Sequence, residues 1–489
     1  MENNVSENKI EEDQSQRDGS RRFGGLLVKE VKLIGYIAGP MIIVNLSHYF
    51  LQIISIMMIG HLGKLYLSST AIAISFGIVT GFSFLFGMAG ALETLSGQAY
   101  GAQQYRKLGI QTNTAISSLI LVCLPLSLLW AYMGKFLILV GQDPVISREA
   151  GKFMLWFIPA LFAYAALQPL VRYFQTQSLT IPLVVSSCVS ICCHVPLCWV
   201  LVFKSGLENL GGALAIGISY WLNVILLVLY MICSPTCEST RAPISTDLFQ
   251  GIGEFLRFAI PSAMMMCFQW WSSQLLTLLS GFLPNPQLET SMFSLCLATI
   301  STLYSISEGL GAAGSTRVSN ELGASNPRAA RRACGAVMIL TVCEAVISSS
   351  VILACRRAFG HIFSNEKEVV DYAAKIAPLV SLSVICRSFS AVLSGIARGC
   401  GLQKLGAFVN LGSYYFLGIP IAAILAFRFD LRGKGLWIGF VAGAFSQAFL
   451  FSMITLRINW DKKARLARGR IFNERSQGDI GLSEQSTLT

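Results

Sequence analysis

Twelve apolar stretches, each roughly 20–30 residues long, fill nearly the whole chain, and a bilayer core about 30 Å thick takes roughly 20 such residues per helix. None carries a polar face long enough to meet water, and the short alternating segments of a membrane β-barrel are absent. The pattern predicts an all-α polytopic membrane protein with twelve transmembrane helices, near residues 33–59, 68–98, 111–139, 151–171, 180–203, 210–232, 253–283, 288–320, 330–356, 369–397, 406–427 and 436–457. The breaks coincide with turn-forming clusters: Gly60-His61-Leu62-Gly63, Gly141-Gln142-Asp143-Pro144, Leu283-Pro284-Asn285-Pro286 and Ser325-Asn326-Pro327.

The second half of the pattern repeats the first. Ala38-Gly39-Pro40 recurs as Ala259-Ile260-Pro261, and Gly101-Ala102-Gln103-Gln104-Tyr105-Arg106 as Gly323-Ala324-Ser325-Asn326-Pro327-Arg328. Arg172 with Gln177 recurs as Arg398 with Gln403, and Gly211, Leu214 and Ile216-Gly217 as Gly433, Leu436 and Ile438-Gly439. Four matches in order, offset by 221–226 residues, imply two pseudo-symmetric six-helix lobes. Each half crosses an even number of times, so the halves share one orientation, a parallel repeat with a cleft between the lobes. The expected divisions are a disordered N-tail (1–30), an N-lobe (31–233), a linker (234–252), a C-lobe (253–458) and a C-tail (459–489). Residues 1–25 and 471–489 are rich in polar residues and are expected to be disordered.

Composition sharpens this reading. Only 13% of the 489 residues are charged, and the net charge of +11 is spread over short loops and tails instead of forming a nucleic-acid-binding stripe. The basic loops (Arg106-Lys107, Arg172, Arg241, Arg328 with Arg331-Arg332, Arg398 with Lys404, and the stretch after 460) lie on the side of the termini, which predicts cytosolic termini and leaves loop positioning as the alternative to gating for Arg172 and Arg398. The fourteen cysteines sit mostly inside apolar segments, as small apolar residues do. There is no G-x-x-x-x-G-K-[ST] loop for ATP and no metal-ligating cluster, so no cofactor, metal or enzymatic chemistry is expected. His48 and His194 lie inside helices and read as neutral hydrogen-bonding residues.

Leu92-Glu93-Thr94-Leu95-Ser96-Gly97-Gln98-Ala99-Tyr100-Gly101-Ala102 and Gln168-Pro169-Leu170-Val171-Arg172-Tyr173-Phe174-Gln175 closely resemble signatures of plant multidrug and toxic compound extrusion (MATE) transporters. So do Ala313-Gly314-Ser315-Thr316-Arg317-Val318-Ser319-Asn320-Glu321-Leu322-Gly323-Ala324 and Leu393-Ser394-Gly395-Ile396-Ala397-Arg398-Gly399-Cys400-Gly401. The resemblance spans roughly residues 30–465. It implies export from the cytosol of small organic solutes (organic cations, alkaloids or flavonoid-like compounds) in exchange for protons, in a vacuolar or plasma membrane of a plant cell. The expected partners are the cargo, protons and the bilayer, with the chain acting as a monomer and no nucleic acid involved.

The chain departs from that family where the proton is thought to bind. The family pattern has acids on helix 7, where this chain reads Cys267-Phe268-Gln269-Trp270-Trp271-Ser272-Ser273-Gln274. It has an acid on helix 10, where this chain reads Cys386-Arg387-Ser388-Phe389. Gln does not titrate and Arg stays charged. Ionisable residues at membrane depth are costly and point to function. Glu93, Glu308 and Arg387 stand out, and the depth of Glu308 and Arg387 along their helices predicts that they pair. The candidate proton and cargo site is therefore Glu308, Arg387, Gln269, Gln274 and Trp270, with Trp270 able to stack on planar cargo. The candidate gate is Glu93, Gln98, Arg172 and Arg398. An Arg in the cavity favours anionic or neutral cargo, such as organic acids or phenolic conjugates. The alternatives to a proton-coupled exporter are an uncoupled facilitator and a sensor that no longer moves cargo.

Overall fold

The computed structural model describes residues 24–243, 251–285, 289–356 and 371–472. The disorder expected of the two tails falls mainly outside this set. Eleven described helices are long and apolar enough to cross a bilayer: α1 (Gly24–Gly60), α2 (Lys64–Gly101), α3 (Tyr105–Ala131), α4 (Pro144–Thr176), α5 (Thr180–Phe203), α6 (Asn209–Cys233), α8 (Glu289–Gly323), α9 (Pro327–Ala354), α10 (Asp371–Gly399), α11 (Gln403–Arg428) and α12 (Arg432–Leu456). The twelfth, α7 (Ile252–Ser280), is 29 residues long but carries Gln269, Ser272, Ser273 and Gln274 and is less apolar. There is no β-strand among the described residues.

Local chemistry sets the helix ends. Gly141 takes φ 91°. Asp143 then caps α4, its Oδ1 accepting from the amides of Val145 (2.8 Å) and Ile146 (3.0 Å), with Pro144 in the first turn. Asn326 caps α9 ahead of Pro327 in the same manner. The left-handed turn residues repeat with the fold: Gly63 and Asn285, Gln103 and Ser325, Ser178 and Gly401, and Glu208 and Asp430 all have positive φ, each pair 222 or 223 residues apart. The backbone thus carries the duplication read from the sequence, and α1–α6 and α7–α12 form the two lobes.

Within the N-lobe, α4 packs on α6 and α3, and α1 on α5; within the C-lobe, α8 and α12 pack on α10. The lobes meet where α1 lies along α8, α2 along α7, and α2 crosses α8. His194 bridges Ser55 of α1 (3.0 Å) and Ser219 of α6 (2.8 Å), and His48 contacts Asn223 at 3.2 Å, the interhelical role expected of both. All fourteen cysteines are free thiols. Cys123, Cys198 and Cys267 are buried, whereas Cys192 and Cys193 face outward from the bundle; on a lipid-facing surface a thiol still serves as a small apolar group.

Candidate functional site: a central cavity above a cross-lobe ion network

The inner faces of α1, α2, α4, α6, α7, α8 and α10 enclose a cavity of about 270 Å³ between the lobes. Asn45, Gln52, Gln168 and Gln274 give it neutral polar groups, and Phe86 and Trp270 aromatic faces. Trp270 stacks on Phe86 across the lobe boundary, with centroids 5.6 Å apart and planes 22° apart, and Arg172 lies 5.1 Å from the same Phe86 ring. The Trp270 ring is therefore part of the contact between lobes as well as the cavity lining.

Because the helices alternate in direction, α2 and α8 end on the face where α1 begins and α12 ends. On that terminal face the lobes are sealed. A Cβ at Gly101 would sit 1.9 Å from the Asn320 carbonyl oxygen, and one at Gly323 would sit 2.1 Å from that of Gln98, so only glycine permits this crossing. Side chains tie the seal together. Gln98 Nε2 donates to the Gly399 carbonyl (3.3 Å), Asn320 Nδ2 to the Thr176 carbonyl (3.0 Å), and Gln175 Nε2 to the Ala312 carbonyl and Thr316 Oγ1 (3.0 Å each). Arg317 Nε donates to Glu30 at 2.8 Å, linking α8 to α1.

Between seal and cavity lies a buried chain of four charges. Arg172 Nη1 is 3.1 Å from Glu93 Oε1, Arg398 Nε donates to Glu93 Oε2 at 2.9 Å, and Arg398 Nη2 donates to Glu308 Oε1 at 2.9 Å. Arg172 and Glu93 belong to the N-lobe, and Arg398 and Glu308 to the C-lobe, so the Glu93–Arg398 pair crosses the boundary. Two charges of each sign neutralise one another, which buried ions require. Tyr304 donates to Glu308 Oε2 (3.0 Å) and accepts from Gln269 Nε2 (3.2 Å). Gln269 is fully buried, held also by Gln447, and does not line the cavity.

The expected pairing of Glu308 with Arg387 is not formed; Arg398 takes that place. The helix register explains why. Ser307 Oγ donates to Ser388 Oγ (3.0 Å), and Gly311 packs on Ala391 and Gly395, so Glu308 lies level with the residues just after Arg387. Side chains on a helix tilt toward its N-terminus. Arg398 therefore reaches up α10 to Glu308, and Arg387 reaches away from it, over the Tyr304 ring (4.6 Å) and the Phe440 ring (5.5 Å). Of the four gate candidates, Glu93, Arg172 and Arg398 share the buried charge chain, and Gln98 lies in the seal, bonding the Gly399 backbone and not Glu93. Arg172 and Arg398 are both buried and hold the network, not a surface loop.

Sequence reasoning missed Glu344. It lies mid-way along α9 and accepts from Ser307 (3.2 Å) and Ser348 (2.9 Å). The membrane-depth rule that singled out Glu93 would have found it. Tyr304 and Gln175 carried no such signal, since polar neutral residues are frequent in these helices. No group of residues suited to a metal ion occurs among the described residues.

A duplicated helical bundle with a cavity between its lobes, sealed at one face, is the architecture of a membrane transporter. The chain belongs to the multidrug and toxic compound extrusion family: the MatE family model matches residues 40–200 and 261–424, one lobe each. It is 59% identical to Protein DETOXIFICATION 14 of Arabidopsis thaliana, over 91% of this chain and 92% of that one, and 57% identical to Protein DETOXIFICATION 12 of the same plant, over 91% and 93%. The crystal structure of the eukaryotic MATE transporter AtDTX14 superposes with a TM-score of 0.88 at 59% identity, over 91% of this chain and 99% of that one. A multidrug resistance MATE family transporter, solved in an outward-facing conformation, shares the fold at 12% identity, with a TM-score of 0.80 over 89% of this chain and 97% of that one. The protein is thus a membrane efflux transporter and not an enzyme.

Proposed function

We propose that this transporter exports small organic solutes from the cytosol by alternating access, driven by protons entering through the central cavity. The terminal face is then cytosolic, the sealed state is the outward-facing one, and the Glu93–Arg398 pair is its lock. The membrane is the plasma membrane or the vacuolar membrane of a plant cell, and one chain suffices. The observation that supports this reading is the position of Glu308: a carboxylate at the floor of the cavity, one hydrogen bond away from the arginine that joins the lobes. A proton on Glu308 would remove one of the two negative charges holding Arg398 and Arg172. Uncompensated positive charge at the seal disfavours the closed arrangement, so the lobes rock and the site turns to the cytosol. Loss of the proton there, with cargo bound, restores the network.

The test is uptake into inside-out vesicles carrying this protein, with one fluorescent organic cation and one fluorescent organic anion. Each is measured with an imposed pH gradient and again after its collapse. Gradient-dependent uptake that disappears in Glu308→Gln is the expected result. A second reading, an uncoupled facilitator, draws on Gln269 and Arg387 standing where the family pattern has acids; uptake indifferent to the gradient would select it. Absence of uptake of either probe would favour a sensor.

A further inference from the structure

The ion network pairs Arg172, Glu93, Arg398 and Glu308 and leaves Arg387 over. Arg387 lines the cavity and is only 7% exposed. Among the described residues it makes no ion pair with a carboxylate, and its Nε and Nη1 are buried without a hydrogen-bond acceptor. The neighbouring acid, Glu344, is engaged by Ser307 and Ser348 behind the Ser307–Ser388 bridge. The guanidinium carbon lies over two rings, Tyr304 and Phe440. These contacts ease the burial of a cation but supply no counter-charge. An arginine cannot shed its proton to escape this cost. The cavity with its network thus holds three positive and two negative groups, and its excess charge sits on a residue with unmet donors.

We propose that Arg387 and the aromatic lining of this cavity form a binding site for a small aromatic organic anion, its carboxylate or sulfonate seated on the guanidinium edge. A planar fork of N–H donors matches a carboxylate or sulfonate oxygen pair. The rings of Phe86, Trp270 and Tyr304 suit a planar hydrocarbon body, and the cavity volume is at the small end for such sites. Neutral amides, Asn45 and Gln274 among them, line much of the rest, and the charged groups at the floor, Glu308 and Arg172, are engaged in the ion network. Tyr304 joins the anion site to Glu308, since its ring lies under Arg387 while its hydroxyl bonds that carboxylate. Anion occupancy and the protonation of Glu308 therefore act on one shared side chain. This inference deepens the export reading and rests on it only for the direction of travel.

The test is calorimetric titration of the purified, detergent-solubilised full chain with naphthalene-2-sulfonate. The same rings bearing a cation, naphthalen-2-ylmethylammonium, and inorganic sulfate are titrated alongside. The wild type should bind the aromatic anion in preference to the cation and to sulfate. Arg387→Gln should weaken the anion about ten- to a hundredfold, the range set by losing charge-assisted hydrogen bonds, and leave the cation unchanged or improved. Arg387→Lys, which keeps the charge and loses the fork, should fall between, and provides a second variant should Arg387→Gln fold poorly. Equal wild-type affinity for anion and cation, or unchanged anion affinity in either folded variant, would overturn the proposal. Sulfate binding as tightly as the aromatic anion would overturn the part played by the rings. Anion binding without gradient-driven export would leave the site standing and remove the export reading. Export of the cation probe with no anion binding would do the reverse.

Discussion

Replacing Arg398 by Gln removes a fully buried side chain that touches both a carboxylate of its own lobe and a carboxylate of the other. Two charge-assisted hydrogen bonds at 2.9 Å are lost, and each is worth about 1.5–3 kcal/mol. Only the bond to Glu93 crosses the lobes. The balance between sealed and open terminal faces should therefore move by about 1.5–3 kcal/mol, roughly ten- to 150-fold. The fold as a whole should lose more, about 3–5 kcal/mol, because Glu308 keeps only Tyr304 and becomes a buried charge without a cation. The two effects are separable by distance measurements between spin labels at Gln103 and Ser325, exposed positions on the terminal face, one in each lobe. Labelling must avoid cysteine chemistry, since fourteen native thiols would compete. The wild type should give mainly the short distance of the sealed face, and Arg398→Gln should populate a longer one. Glu93→Gln should follow closely. Glu308→Gln should shift less, because it removes charge balance but keeps the cross-lobe bond. A folded Arg398→Gln protein with the wild-type distance distribution would refute the assignment of this pair as the lock.

Three further outcomes follow from the geometry. Gly323→Val places a side chain against the backbone of Gln98, which cannot move aside, so the sealed face should lose about 1–3 kcal/mol and the same label pair should report opening. The pair Gln269→Glu with Arg387→Asp exchanges a net positive cavity for a negative one, and vesicle uptake should turn from anions to cations by at least about tenfold in relative rate. Glu344→Gln keeps an acceptor for Ser307 or Ser348 and lies behind the cavity wall, so gradient dependence of uptake should be unchanged and thermal stability should fall by no more than about 1 kcal/mol.

The fold was legible because its signals are long and repeated. Each helix reads as a long apolar run, α7 among them, although Gln269, Ser272, Ser273 and Gln274 make it less apolar than the others. Glu93 was legible as a charge embedded in an apolar run, and Arg172 and Arg398 were marked by the duplication. Their pairing was not. Arg387 and Arg398 are eleven residues apart on α10, just over three full turns, so both lie on one face of the helix and either could meet Glu308. The choice depends on the register of α8 against α10, set by glycine contacts at Gly311 and Gly395, and on the tilt of side chains toward the helix N-terminus. A one-dimensional depth count contains neither. Trp270 was read as a platform for cargo, and the structure also spends its face on Phe86, a contact between lobes that periodicity within one helix does not encode.

In the proposed mechanism, proton movement and cargo movement meet at Glu308. The most direct measurement is proton flux through liposomes bearing the purified transporter, read with a trapped pH dye, when a cargo gradient is imposed without any pH gradient. Cargo moving down its gradient should drive protons the other way in the wild type and should move without them in Glu308→Gln. Equal proton flux in the two proteins, or cargo flux without protons in the wild type, would contradict the account.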